Sequence, residues 1–155
     1  MEMKKILWPT DFSNAAEKAL PQVKSLTEKY DAEIHVLYVM EDIPRHEPWY
    51  GVLNQEHVEE FSEKTHRAAN KHLEQICDKY LDGCPLYIKH VATGDAAQEI
   101  LKLIETEGID MVVMATRGKK AHFPFGSVTE KVVKNSPVPV ITVPVKPAEE
   151  KKAEA

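Results

Sequence analysis

Two stretches of this chain carry residue types suited to ligand chemistry, and each follows an apolar burst. The first is Trp8-Pro9-Thr10-Asp11-Phe12-Ser13. Asp11 and Ser13 are strong helix-capping residues, because a short side-chain oxygen accepts from the first N–H groups of a helix. The same Asp11 carboxylate repels a phosphate but accepts hydrogen bonds from a ligand's amino or hydroxyl groups. Cap and ligand acceptor both remain open. The second stretch is Met114-Ala115-Thr116-Arg117-Gly118-Lys119-Lys120-Ala121-His122-Phe123-Pro124-Phe125-Gly126-Ser127. Gly118 and Gly126 permit close backbone approach or positive φ. Arg117, Lys119 and Lys120 supply cationic donors, and the stretch ends where a helix pattern begins. Together these are the electrostatic requirements for holding a phosphate. A solvated basic loop ahead of a capped helix has the same composition. No Gly-Lys-Ser/Thr opens the helix, so the nucleotide P-loop pattern is absent.

The remaining reactive side chains form no pattern of their own. His66 and His72 are six residues apart, which does not put them on one helix face. His35 and His90 fall in strands that the topology makes neighbours. They read as an ordinary histidine pair, because no partnering carboxylate or thiolate cluster is evident, and no metal site is assigned. His122 lies in the basic stretch and ranks below Gly118, Gly126 and Ser127 as an anion contact. Ser127 lacks a base and an orienting group, so no catalytic residue is assigned and a slow ATPase is the most that chemistry allows. The two cysteines, Cys77 and Cys84, match no metal or redox spacing and read as reduced thiols.

Five apolar bursts must position the two stretches: Lys5–Pro9, Glu33–Val39, Leu86–Val91, Met111–Ala115 and Val138–Val143. The first, fourth and fifth are nearly continuous, as in parallel strands covered on both faces. Helix patterns lie between them. Asn14–Lys29 is predicted as one helix kinked at Pro21. Val58, Phe61, Thr65, Ala68, Ala69, Leu73, Ile76 and Tyr80 mark a long second helix. Ala96–Glu107 forms a third, stopped by Gly108. Ser127–Asn135 forms a fourth, opened by the capping-box pattern Ser127-Val128-Thr129-Glu130. This alternation predicts a parallel α/β sheet with helices on both faces, whose ligands sit where the winding reverses. Glu41–Glu56 reads as a loop, and Lys146–Ala155 as a disordered charged tail after a domain spanning residues 1–145.

With 155 residues and 43% hydrophobic content, one domain can bury a core unaided. A net charge of −5 argues against a general nucleic-acid binder. No signal-peptide pattern and no apolar run of roughly 20 residues is seen, so the expectation is a cytoplasmic protein without a membrane partner.

From Ile6 to Val143 the chain resembles the universal stress protein family. The resemblance rests on Lys5-Ile6-Leu7-Trp8-Pro9-Thr10-Asp11-Phe12-Ser13, Leu37-Tyr38-Val39 and Gly94-Asp95-Ala96-Ala97-Gln98-Glu99-Ile100. It continues through Asp110-Met111-Val112-Val113-Met114-Ala115-Thr116-Arg117-Gly118, then Gly126-Ser127-Val128-Thr129-Glu130-Lys131-Val132-Val133 and Pro137-Val138-Pro139-Val140. It implies a five-stranded parallel sheet in order 3-2-1-4-5, Rossmann-like and similar to the adenine nucleotide alpha hydrolase fold. It implies adenine near Pro9, Asp11, Val39 and Met114, within a wider site of Thr10, Ala115, Arg117, Gly118, Gly126, Ser127 and Val128.

The family's phosphate motif runs Gly, two residues, Gly, nine residues, then Gly-Ser or Gly-Thr. Here Ala115 stands at the first Gly, and seven residues separate Gly118 from Gly126. Pro124 stiffens that shorter loop. The resemblance thus implies a stress-response regulator binding ATP, ADP or AMP, with Mg2+ or Mn2+ entering only on bound phosphates. The alternative is a homodimeric interaction platform that binds no nucleotide. In either case, Val138–Val143 is the expected dimer edge.

Overall fold

The computed structural model describes residues 2–40, 55–81, 87–116 and 126–145. In chain order the elements are β1 (Lys5–Thr10), α1 (Asn14–Glu17), α2 (Leu20–Tyr30), β2 (Glu33–Met40) and α3 (Gln55–Tyr80). They continue with β3 (Tyr87–Thr93), α4 (Ala96–Glu107), β4 (Met111–Ala115), α5 (Ser127–Asn135) and β5 (Val140–Val143). All five strands are parallel, in the order β3-β2-β1-β4-β5. The sheet order and the α/β class are those expected from the sequence.

Strand alternation divides the core into two layers. Ile6, Trp8, Ile34, Val36 and Val113 face one way, against Leu20 and Val23 of α2 and Leu73, Ile76 and Cys77 of α3. Leu7, Leu37, Val112 and Met114 face the other way, against Ala97, Ile100 and Ile104 of α4 and Val132 of α5. Ile6, Leu7 and Trp8 have no exposed surface, which explains the unbroken apolar run in β1. The Cys77 thiol is buried in the first layer, and burial raises its pKa to about 12. It is therefore a protonated packing group, consistent with the sequence reading.

Three expectations are corrected. The first helix is two helices: Pro21 removes the N–H that would bond to Glu17, and its ring clashes with that same carbonyl. α1 accordingly ends at Glu17, and Pro21 sits in the first turn of α2, where a missing N–H costs nothing. Ser127 does not cap α5. It is the first helical residue, the cap is Gly126, and no side-chain cap bond forms. α3 is the long second helix expected, and among the described side chains of its stripe Ala69, Leu73 and Ile76 are buried while Phe61 is 61% exposed. Lastly, α3 already includes Gln55 and Glu56, at the end of the predicted loop. The rest of that loop, Arg117–Phe125 and the 146–155 tail lie outside the described residues.

β5 lies at the sheet edge, as expected, but starts at Val140. Pro139 has no N–H to give the ladder, yet its carbonyl accepts from Val112 N at 3.0 Å. Among the described residues, no helix is long and apolar enough to cross a membrane.

Ile100 is 2% exposed and ties α4 to the sheet. Ile100→Ala should lower stability by about 2–5 kcal/mol, read as a reduced urea midpoint with an unchanged slope.

Candidate functional site

β1 pairs with β2 along its whole length, from Lys5↔Glu33 to Thr10↔Tyr38. Its pairing with β4 covers only Ile6↔Met111 and Leu7↔Val112. Beyond Leu7 the register between the two central strands ends, and their carboxyl ends lie at the point where the winding reverses, the place where open α/β sheets hold ligands. Both unusual stretches of the sequence end there.

On the β1 side, the backbone turns sharply into α1. Phe12 takes φ 64°, a left-handed conformation unusual for a side chain of its size. Phe12 N donates to Thr10 Oγ1 at 3.0 Å, and Ser13 N donates to Asp11 Oδ1 at 2.9 Å. Ser13 Oγ also donates to Asp11 Oδ1, and itself accepts from Ala16 N at 3.1 Å as the cap of α1. Ser13 thus caps α1, and Asp11 holds Ser13 in place. Stacking compensates the strain at Phe12, whose ring lies 4.2 Å from Tyr38 and 4.1 Å from His72. No sequence signal pointed to that stack, because His72 comes from a distant helix.

On the β4 side, Gly126 N donates to Thr116 O at 2.8 Å, and Val145 N donates to Thr116 Oγ1 at 3.2 Å. Thr129 Oγ1 donates to Ala115 O at 3.0 Å, fixing the first turn of α5 onto the end of β4. Sequence reasoning passed over Thr116 and Thr129, which are both buried. Their signal was weak, since a threonine beside a strand end reads as ordinary β propensity. Gly126 contributes no side chain, so the first N–H groups of α5 receive no cap from it.

The expected site residues divide by location. Met114 is buried in the second core layer, with Val39 and Val128 packed against that layer. Pro9, two residues beyond Leu7, falls on the same face by strand alternation. Ala115 turns the other way and packs with Ala15 and Val145. Thr10 is buried, Asp11 and Gly126 are half-buried, and Ser127 is exposed. Arg117 and Gly118 lie outside the described residues.

A separate polar cluster occupies the other half of the sheet. His35 Nε2 lies 2.6 Å from Glu33 Oε1, and His35 Nδ1 lies 2.9 Å from His90 Nε2. Glu107, the last residue of α4, presents its carboxylate to the same pair. Burial, and then the neighbouring His35, hold the His90 pKa below its ordinary value, with Glu107 opposing. The two histidines are neighbours, as expected, but the carboxylate partners absent from the sequence reading are present.

The universal stress protein family matches residues 2–144. The chain belongs to the universal stress protein family. It is 36% identical over 154 residues to universal stress protein MJ0577 of Methanocaldococcus jannaschii, covering 90% of this chain and 94% of that protein. A solved structure of MJ0577 superposes with a TM-score of 0.80 at 33% identity, covering 94% of this chain and 99% of the other. Two more distant members share the fold. An Archaeoglobus fulgidus universal stress protein in complex with dAMP matches with a TM-score of 0.58 at 19% identity, over 92% of this chain and 98% of its own. Another universal stress protein, in complex with cAMP, gives 0.59 at 17% identity over the same shares.

Thr129→Val would leave the buried Ala115 carbonyl without its donor. It should cost about 1–3 kcal/mol in a denaturant titration and speed amide exchange in the first turn of α5.

Proposed function

We propose that the crevice between β1 and β4 binds an adenine nucleotide, ATP, ADP or AMP, and that this universal stress protein acts as a nucleotide-dependent regulator. One observation carries the reading. An apolar floor and the N-terminus of a helix meet where the central strands part. Val39, Met114 and Val128 offer the flat apolar contact that suits a purine. The Asp11 carboxylate accepts from amino or hydroxyl groups at the rim. The start of α5, with glycine at its cap, offers backbone N–H groups and a positive dipole end to a phosphate. Relatives solved with dAMP and cAMP support the same ligand class. AMP is the smallest adenine nucleotide that engages all three features. Mg2+ or Mn2+ would enter only upon the further phosphates of ADP or ATP.

The assembly proposed with it is a homodimer through the β5 edge. Val140, Ile141 and Thr142 remain half-exposed there, and pairing with a second copy closes the ladder that Pro137, Pro139 and Pro144 bracket.

Two measurements test these readings. Calorimetric titration of the ligand-stripped protein with AMP, ADP and ATP should show saturable binding below millimolar. Asp11→Ala should weaken it by about 1–3 kcal/mol, and Gly126→Val should block it whatever the number of phosphates. Absence of binding for all three would leave the platform without nucleotide as the function. Sedimentation should show a dimer at micromolar concentration, with Val140→Asp shifting it toward monomer. A monomeric parent protein would sink the edge assignment.

A further inference from the structure

His35 is wholly buried, and both of its ring nitrogens are engaged. A carboxylate accepts only, so the nitrogen facing Glu33 carries the proton, and this fixes the tautomer. His35 Nδ1 is therefore bare, and it points at His90 Nε2 across 2.9 Å. The rings are nearly parallel, with an interplanar angle of 10°. One proton, carried by His90, sits between the facing nitrogens. One donor atom from each of His35, His90 and Glu107 lies within 4.8 Å of the other two.

We propose that His35 Nδ1, His90 Nε2 and a Glu107 carboxylate oxygen form a divalent-metal site of the zinc class, with Glu33 as the outer carboxylate that orients His35. Two imidazoles and a carboxylate are a ligand set zinc accepts, with water in the fourth position. Zinc–nitrogen bonds of about 2.0–2.1 Å at a tetrahedral angle separate the two nitrogens by about 3.3 Å. The rings must therefore part by only about 0.4 Å and tilt. His90 is half-exposed and makes that adjustment. The ion takes the place of the shared proton, which moves to His90 Nδ1, so neither imidazole changes its charge. The carboxylate–histidine–metal arrangement through Glu33 is the usual means of fixing a ligand ring and raising its basicity.

Charge and access agree with this. Glu33 and Glu107 together balance a doubly charged ion. The Lys5 ammonium donates to the backbone carbonyl of Glu107 at 2.9 Å, and Lys89, which lines the cleft with His90, is paired with Glu74 at 2.6 Å. His90 also lines a cleft of about 380 Å3, walled by Leu37, Ala92, Leu103 and Thr106, which gives an ion a way in. The site sits toward the amino ends of the strands, away from the nucleotide crevice, and does not rest on nucleotide binding.

The test is calorimetric titration of the full chain, free of nucleotide, with ZnCl2 in a non-chelating buffer. Visible absorption on adding Co2+ provides a second readout of tetrahedral coordination. The parent protein should take up one equivalent with strong cobalt bands. His90→Gln and Glu107→Gln should abolish both signals, and Glu33→Gln should weaken zinc binding by about 10–100-fold. His66→Gln and His122→Gln should leave the isotherm unchanged. Thermal melts without metal check that the variants fold, and if His90→Gln does not, Glu107→Gln decides. No saturation below millimolar zinc overturns the proposal. So does a stoichiometric site that survives both ligand variants, because the ion would then be held by other histidines or cysteines.

Discussion

At the switch point of the sheet, β1 keeps one neighbour along its full length and loses the other after Leu7. Full pairing with β2 continues to the carboxyl end of β1 while the pairing with β4 stops at Leu7, and the helices that follow the two strands pack on opposite faces. Side-chain burial enforces that geometry. Ile6 and Trp8 are sealed in one layer and Leu7 in the other. A register slip of one residue would exchange those faces and put Trp8 against α4. The facing of the β1 residues at the switch point therefore follows from the burial of three adjacent residues, Ile6, Leu7 and Trp8.

The two ends of the sheet solve the problem of polar groups at a buried edge differently. At the carboxyl end, short side chains tie the backbone locally: Ser13 caps α1, Asp11 holds Ser13, and Thr129 pins α5 to Ala115. Toward the amino end, a full imidazole lies inside the core, which is costly unless each nitrogen finds a partner. Glu33 and His90 supply those partners. Their presence makes His35 a polar anchor at a position where the second core layer otherwise holds aliphatic residues.

Much of this was legible in the sequence where local chemistry and tertiary packing agree. The unbroken apolar runs of β1 and β4 announced two-sided burial, and Gly108 stops α4 in a left-handed conformation, as a glycine there should. The misreadings occurred where two local rules compete. Pro21 can kink a helix or open one, and only the position of its clash with the Glu17 carbonyl decides which. Ser127 has the composition of a cap, but the bond from Gly126 N to Thr116 O moves the cap back by one residue. The carboxylates beside His35 escaped notice for a different reason. Glu33 is two residues away on the same strand, and Glu107 is brought in only by the return of α4. Periodicity along the chain carries no signal for that contact.

The one-residue displacement at α5 has a chemical consequence. A serine at the N-cap spends its oxygen on the N–H groups of the first turn. With Gly126 there instead, no side chain competes for them, and Ser127 moves outward to an exposed position. The helix start still needs an anchor, and Thr129 provides it from the buried side by bonding to β4 rather than to its own helix. Thr129 thus anchors the first turn from behind, while the cap residue itself offers its front no side-chain bond, which suits the nucleotide phosphate proposed for that end. With Ser127 as cap, the serine oxygen would compete with that phosphate for the same N–H groups.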